Sequence, residues 1–81
     1  MMLKTDIRHR GLRADAIDAV RATCGRGNYC EFASVSGWYC AELYAMNDGA
    51  EIWYIYKLNA PGAPRSRRGT VTVYAEGGTD E

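Results

Sequence analysis

The sequence lacks any apolar run near the roughly 18 residues that a membrane span needs. Its first residues, Met1-Met2-Leu3-Lys4-Thr5-Asp6, hold no apolar segment of the signal-peptide type. These two absences set the expectation of a cytoplasmic protein with no membrane partner. Net charge is also missing, since ten Lys and Arg balance ten Asp and Glu. A balanced chain does not hold nucleic acid by bulk electrostatics, although a local basic patch stays compatible with it. Histidine occurs once, at His9, with no nucleophile or carboxylate patterned around it as general-base chemistry requires. The three cysteines, Cys24, Cys30 and Cys40, are an odd count, unlike a secreted disulfide framework. Their spacing lacks the close pairs of zinc sites. Cysteine–histidine catalysis has its residue types here but no local motif, and buried cysteine ordinarily behaves as a small hydrophobe. Gly25 and Gly27 follow the predicted helix, whereas phosphate-binding glycine loops precede one. The expectation is a protein that is not an enzyme and carries no metal and no cofactor.

What is present fits one small compact domain over residues 1–81. A chain of this length buries roughly 60% of its unfolded surface, so modest stability is expected. Residues 2–9 alternate well enough for a first strand. Residues 12–24 read as a helix: Ala14, Ala16, Ala19 and Ala22 supply propensity, and Leu12, Ala16, Ile17, Val20 and Cys24 form a stripe at helical spacing. Asp15 is placed near its N-terminus, where it suits the helix dipole, and Gly25 stands at the stop position. Residues 28–35 and 38–46 read as a hairpin about Ser36-Gly37. A second hairpin turns at Asn47-Asp48-Gly49 into a β-branched and aromatic strand, 51–58, and Asp-Gly between apolar runs is a strong hairpin signal. Residues 59–69, with two prolines and two glycines, read as a flexible basic loop. Residues 70–76 read as a last strand and 77–81 as a frayed acidic tail. The order is β-α-β-β-β-β. The expected class is α+β, a single antiparallel sheet of four to five strands with one helix packed on one face.

Eight of the nine aromatic residues fall within residues 29–56. Strand residues alternate between faces, so turn lengths sort them. With two-residue loops at Ser36-Gly37 and Asp48-Gly49, one face collects Cys30, Phe32, Tyr39, Ala41, Leu43, Ala45, Ile52, Tyr54, Tyr56, Leu58, Val71 and Val73, the expected core. The other collects Tyr29, Glu31, Val35, Trp38, Cys40, Glu42, Tyr44, Met46, Glu51, Trp53, Ile55, Lys57 and Tyr74. Its charges require water, while its Trp, Tyr and Met are types enriched in interface cores. In this register Glu31 and Glu42 face each other, a like-charge pair that a basic partner would relieve. Tyr29, Glu31, Trp38, Glu42, Tyr44, Glu51, Trp53 and Tyr74 are therefore the candidate partner-binding residues. The alternative is that cross-strand aromatic pairs such as Tyr44 with Trp53 simply stabilise a small sheet.

Two basic clusters stand apart: Arg8, His9, Arg10 and Arg13, and then Arg65, Arg67 and Arg68 in the predicted loop. The second could contact phosphates or an acidic surface, and an aromatic sheet face can stack bases. Glu31, Glu42 and Glu51 on the same sheet would repel a phosphate backbone. The RNA-recognition aromatic–glycine signature is missing. A small RNA- or single-stranded-DNA-binding module is thus the alternative function, and a solvated loop tip the plainer account of the arginines.

With about eighty residues, a compact α+β build, no catalytic motif and a surface suited to one partner, the chain resembles the small inhibitors of phages and mobile elements, notably anti-CRISPR proteins. The likeness is in size and build, and no site residue carries over from it. It implies a protein partner, a CRISPR–Cas effector complex in the host cytosol, blocked in DNA binding or nuclease recruitment. Glutamates among aromatics, Glu31, Glu42 and Glu51 beside Trp38, Tyr44 and Trp53, would suit a basic nucleic-acid channel on such an effector. Both a monomer and a homodimer built on the aromatic face are compatible with the sequence.

Overall fold

A computed structural model describes residues 3–58 and 66–74. The elements run β1 (Leu3–Ile7), α1 (Arg10–Thr23), β2 (Tyr29–Ser34), β3 (Gly37–Asn47), β4 (Ala50–Lys57) and β5 (Ser66–Val73). The five strands form one antiparallel sheet in the order β1-β5-β4-β3-β2, and α1 lies on one of its faces. The class is α+β, with the β-α-β-β-β-β order expected from the sequence.

The helix is held by its stripe. Leu12, Ala16 and Val20, four residues apart and so on one side of the helix, are fully buried with Tyr39, Ala41, Trp53, Ile55, Val71 and Val73. Alanine in the middle of the stripe leaves room for the bulk of Trp53 and Tyr39. Helix α1 starts at Arg10, so Asp15 lies beyond the first turn, which holds no acidic residue. Instead of answering the helix dipole, Asp15 accepts a hydrogen bond from Ser34 Oγ at 2.7 Å and ties α1 to β2. Gly25 follows at φ +77, the left-handed conformation that ends helices at little cost for glycine.

Both hairpin loops have two residues, but the first is displaced by one position. Ser34 pairs with Gly37, so the loop is Val35-Ser36 and Gly37 opens β3. Partners shift by two and faces are kept, so Phe32 meets Tyr39 and Cys30 meets Ala41. Glu31 therefore lies opposite Cys40 and Glu42 opposite Tyr29. The expected Glu31–Glu42 pair does not form. The second loop is Asp48-Gly49, both at positive φ (53 and 82), as a type I′ turn requires.

One irregularity reassigns half of the aromatics. From Asn47–Ala50 the ladder runs through Met46–Glu51 and Ala45–Ile52, then resumes at Leu43–Trp53, leaving Tyr44 as an extra residue in β3. Such a β-bulge reverses the alternation of one strand relative to its partner. Trp53 and Ile55 consequently join Leu43, Ala41 and Tyr39 under the helix. Ile52, Tyr54 and Tyr56 go to the opposite face, the reverse of the expectation from sequence.

Strand β5 also starts earlier than expected. Ser66–Gly69, read as loop from the sequence, are strand residues, and a second bulge at Arg68 lies between the pairs Ile55–Gly69 and Tyr56–Arg67. Gly69 lies between Ile55 and Ile7. A Cβ there would overlap the Asp6 carbonyl oxygen and lie 2.8 Å from Ile7 Cα, so only glycine lets β1 close onto β5. The rest of the predicted loop, 59–65, and the tail, 77–81, lie outside the described residues.

Candidate protein-binding face

The face of the sheet away from α1 is built in rows. One row crosses all five strands as Asp6, Thr70, Tyr54, Glu42 and Tyr29. The next holds Arg67, Tyr56, Cys40 and Glu31, and a third holds Lys4, Thr72, Ile52 and Ala45. Tyr44, released by its bulge, stacks on Tyr54 with ring centroids 4.3 Å apart and planes at 18°. Tyr54 meets Tyr56 edge-on at 6.4 Å. The Arg67 guanidinium lies 4.4 Å from the Tyr54 ring centroid, a cation–π contact. Cys40, though on this face, is fully buried beneath the rings.

Glu31 organises the β2–β3 side. Its carboxylate accepts from Tyr29 Oη at 2.7 Å and from Trp38 Nε1 at 2.9 Å. These two donors hold the Glu31 carboxyl below the ordinary carboxylate range. The same bond to Glu31 is the main reason that the Tyr29 hydroxyl is pushed up, with burial adding to it. The aromatics are thereby fixed while their rings remain open: Tyr29 is 43% exposed, Trp38 46% and Tyr44 65%.

The other half of the face is lower. Two open grooves of about 300 Å³ and 310 Å³ flank Thr72 and Tyr74, one reaching Asn47 and Ile52 and the other Lys4 and Asp6. The surface thus has an aromatic ridge over β2, β3 and β4 and a trough of hydroxyls over β5 and β1.

Of the residues expected to bind a partner, the face brings together Tyr29, Glu31, Trp38, Glu42 and Tyr44, with Tyr74 at its far end. Trp53 and Glu51 are corrections to that grouping. Trp53 is fully buried in the core, and Glu51 lies beside it on the helix side, accepting from Trp53 Nε1 at 2.9 Å. Met46 shares the side of Glu51, since the bulge reverses everything between Tyr44 and the Asp48-Gly49 turn. Of the basic residues, Arg67 is on the open face and Arg68 is half-buried at its bulge, with Nε unpaired; Arg65 lies outside the described residues. Ile52, Tyr54 and Tyr56 are the face residues that parity from sequence assigns to the core, and Arg67 is a strand residue where the sequence reads a loop.

The reactive residue types are scattered. His9 is the N-cap of α1 and makes no side-chain capping bond. Cys24, Cys30 and Cys40 form no disulfide among the described residues. Burial pushes the Cys24 thiol up, and the nearby Glu51 carboxylate adds to this, which makes it a poor nucleophile. Among the described residues, no three His, Cys, Asp or Glu side chains are grouped to hold a metal ion, and no helix is long and apolar enough to cross a membrane. No family model, curated protein or solved structure matches the chain.

Proposed function

We propose that the chain is a non-enzymatic binding protein that engages a protein partner through the helix-free face of its sheet. The observation that carries this reading is a set of roughly half-exposed aromatics, Tyr29, Trp38 and Tyr44, held in place by Glu31 and by stacking on Tyr54. Rings already fixed in place, Tyr29 and Trp38 by their bonds to Glu31 and Tyr44 by stacking, lose little entropy on contact, the property that makes aromatic anchors effective. An ordinary solvated sheet face has no need to fix three large rings in the open. The anti-CRISPR likeness makes a CRISPR–Cas effector the first partner to try, as an inhibitor of its DNA binding or nuclease recruitment.

Co-elution of the chain with an effector complex from a matched host tests the reading. Complex formation is expected to weaken by about 30-fold or more in Trp38→Ala if Trp38 is a central anchor. Charge reversal at Glu42 is expected to weaken it as well. Retention of full affinity in both variants removes the face from the interface, and no complex with any effector removes the effector as partner. Direct nucleic-acid binding has one observation in its favour, Arg67 over the Tyr54 ring. It would appear as oligonucleotide binding that falls steeply with salt, whereas Glu31, Glu42 and Asp6 on the same face oppose it.

A further inference from the structure

We propose that in the free protein the open face pairs with the open face of a second copy, about a two-fold axis parallel to the strands and over β4. The inference rests on reading this face as a protein interface, and it names the occupant when no other partner is present. An effector would then compete with the second copy.

Charge carries the argument. Glu31 and Glu42 lie on β2 and β3, one side of the central strand, while Arg67 and Lys4 lie on β5 and β1, the other side, which Asp6 shares; Arg67, one strand from the axis, is the cation that reaches the acids. A two-fold axis along the strands exchanges the two sides. Arg67 stands in the row of Tyr56, Cys40 and Glu31, one strand from the axis. Rotation lays it over Cys40 of the second copy, with Glu31 one strand further out and Glu42 one row along. Its guanidinium already leans over Tyr54, toward the row that holds Glu42. An axis across the strands would instead set Glu31 and Glu42 against their own copies, which like charges disfavour.

Shape agrees with charge. The same rotation keeps every row in place, so it lays Tyr44 over the Thr70 to Thr72 stretch of the second copy, beside the trough, while Trp38 stands at the other end of β3, beyond the row of Arg67. Face-to-face sheets pack about 10 Å apart, a gap that ring-bearing side chains fill. Five strands spaced by about 4.8 Å and some six residues long give a face of about 500 Å² in projection. This belongs to the small class of interfaces, typical of weak and transient pairing.

Sedimentation velocity from about 5 to about 500 µM tests it. The wild-type mass is expected to rise to twice that of the chain, and Arg67→Glu and Glu42→Arg are each expected to weaken association about tenfold or more. Mixing the two variants is expected to restore a dimer, because each then presents to the other the charge it lacks. A wild-type chain that is monomeric throughout overturns the inference, and so does a dimer indifferent to both substitutions. A mixture no better than either variant also overturns it, given that far-UV circular dichroism and melting show both variants folded. A monomer that still captures an effector refutes self-association and spares the protein-binding reading. A dimer that captures none does the opposite for the effector.

Discussion

Replacing Trp53 by alanine separates the two roles that aromatics play in this sheet. The indole is fully buried in the cluster under α1. An aromatic side chain of this kind removes about 150–250 Å² from water, worth roughly 4–6 kcal/mol at 25 cal/mol per Å². Measured Trp-to-Ala truncations in cores cost about 3–5 kcal/mol, since the remaining cavity only partly collapses. The bond from Trp53 Nε1 to Glu51 is lost too, leaving that carboxylate without this donor. A chain of this size has about 4–12 kcal/mol of stability in all. Trp53→Ala is therefore expected to shift the urea midpoint by several molar, given a slope of about 1 kcal/mol per molar. Trp38→Ala is the control. Its ring is 46% exposed and its bond goes to an exposed carboxylate, so a loss of about 1 kcal/mol is expected. Urea denaturation followed by far-UV circular dichroism measures both. If Trp53→Ala costs less than 1 kcal/mol, or less than Trp38→Ala, the placement of Trp53 in the core is wrong.

Other outcomes follow from individual positions. Gly69→Ala is expected to destabilise by about 1–3 kcal/mol and to raise hydrogen exchange along β1 above the rest of the sheet, because the added methyl strikes the Asp6 carbonyl and Ile7; uniform exchange would argue against it. The two hydrogen bonds to Glu31 stabilise the ionised form, so its native pKa lies below the unfolded value. That stability is complete above about pH 4.3, the ordinary glutamate value, and is lost as the pH falls through the lower native pKa. The difference in melting temperature between wild type and Glu31→Gln should accordingly shrink in acid, and a difference independent of pH from 7 to 2 would exclude the mechanism. Tyr29, whose hydroxyl is held protonated by Glu31, should ionise above the ordinary tyrosine range in an alkaline titration and return toward that range in Glu31→Gln.

The fold was legible because its signals are local. The stripe of Leu12, Ala16 and Val20, the stop at Gly25 and the Asp48-Gly49 turn each follow from neighbours in sequence, and each is where it was expected. Face assignment depends instead on counting residues without interruption, and one extra residue at Tyr44 reverses it for a whole strand. Nothing about Tyr44 marks a bulge. The composition of 51–58 did contain a usable signal. Trp53 and Ile55 make a drier pair than Tyr54 and Tyr56, whose hydroxyls need water or a partner. Weighing that chemistry over the count would have put Trp53 inside. The open face gained from the exchange, since Tyr54 supplies the platform on which Tyr44 and Arg67 rest.

Burial of one tryptophan and exposure of the other is the most direct test of this sorting. Trp38→Phe leaves Trp53 as the sole emitter, and Trp53→Phe leaves Trp38. Acrylamide quenching of each single-tryptophan chain reads the two faces separately. The bulge at Tyr44 predicts blue-shifted emission from Trp53 with quenching severalfold weaker than that of Trp38. Equal quenching, or a Trp53 more accessible than Trp38, would contradict it and return Trp53 to the open face.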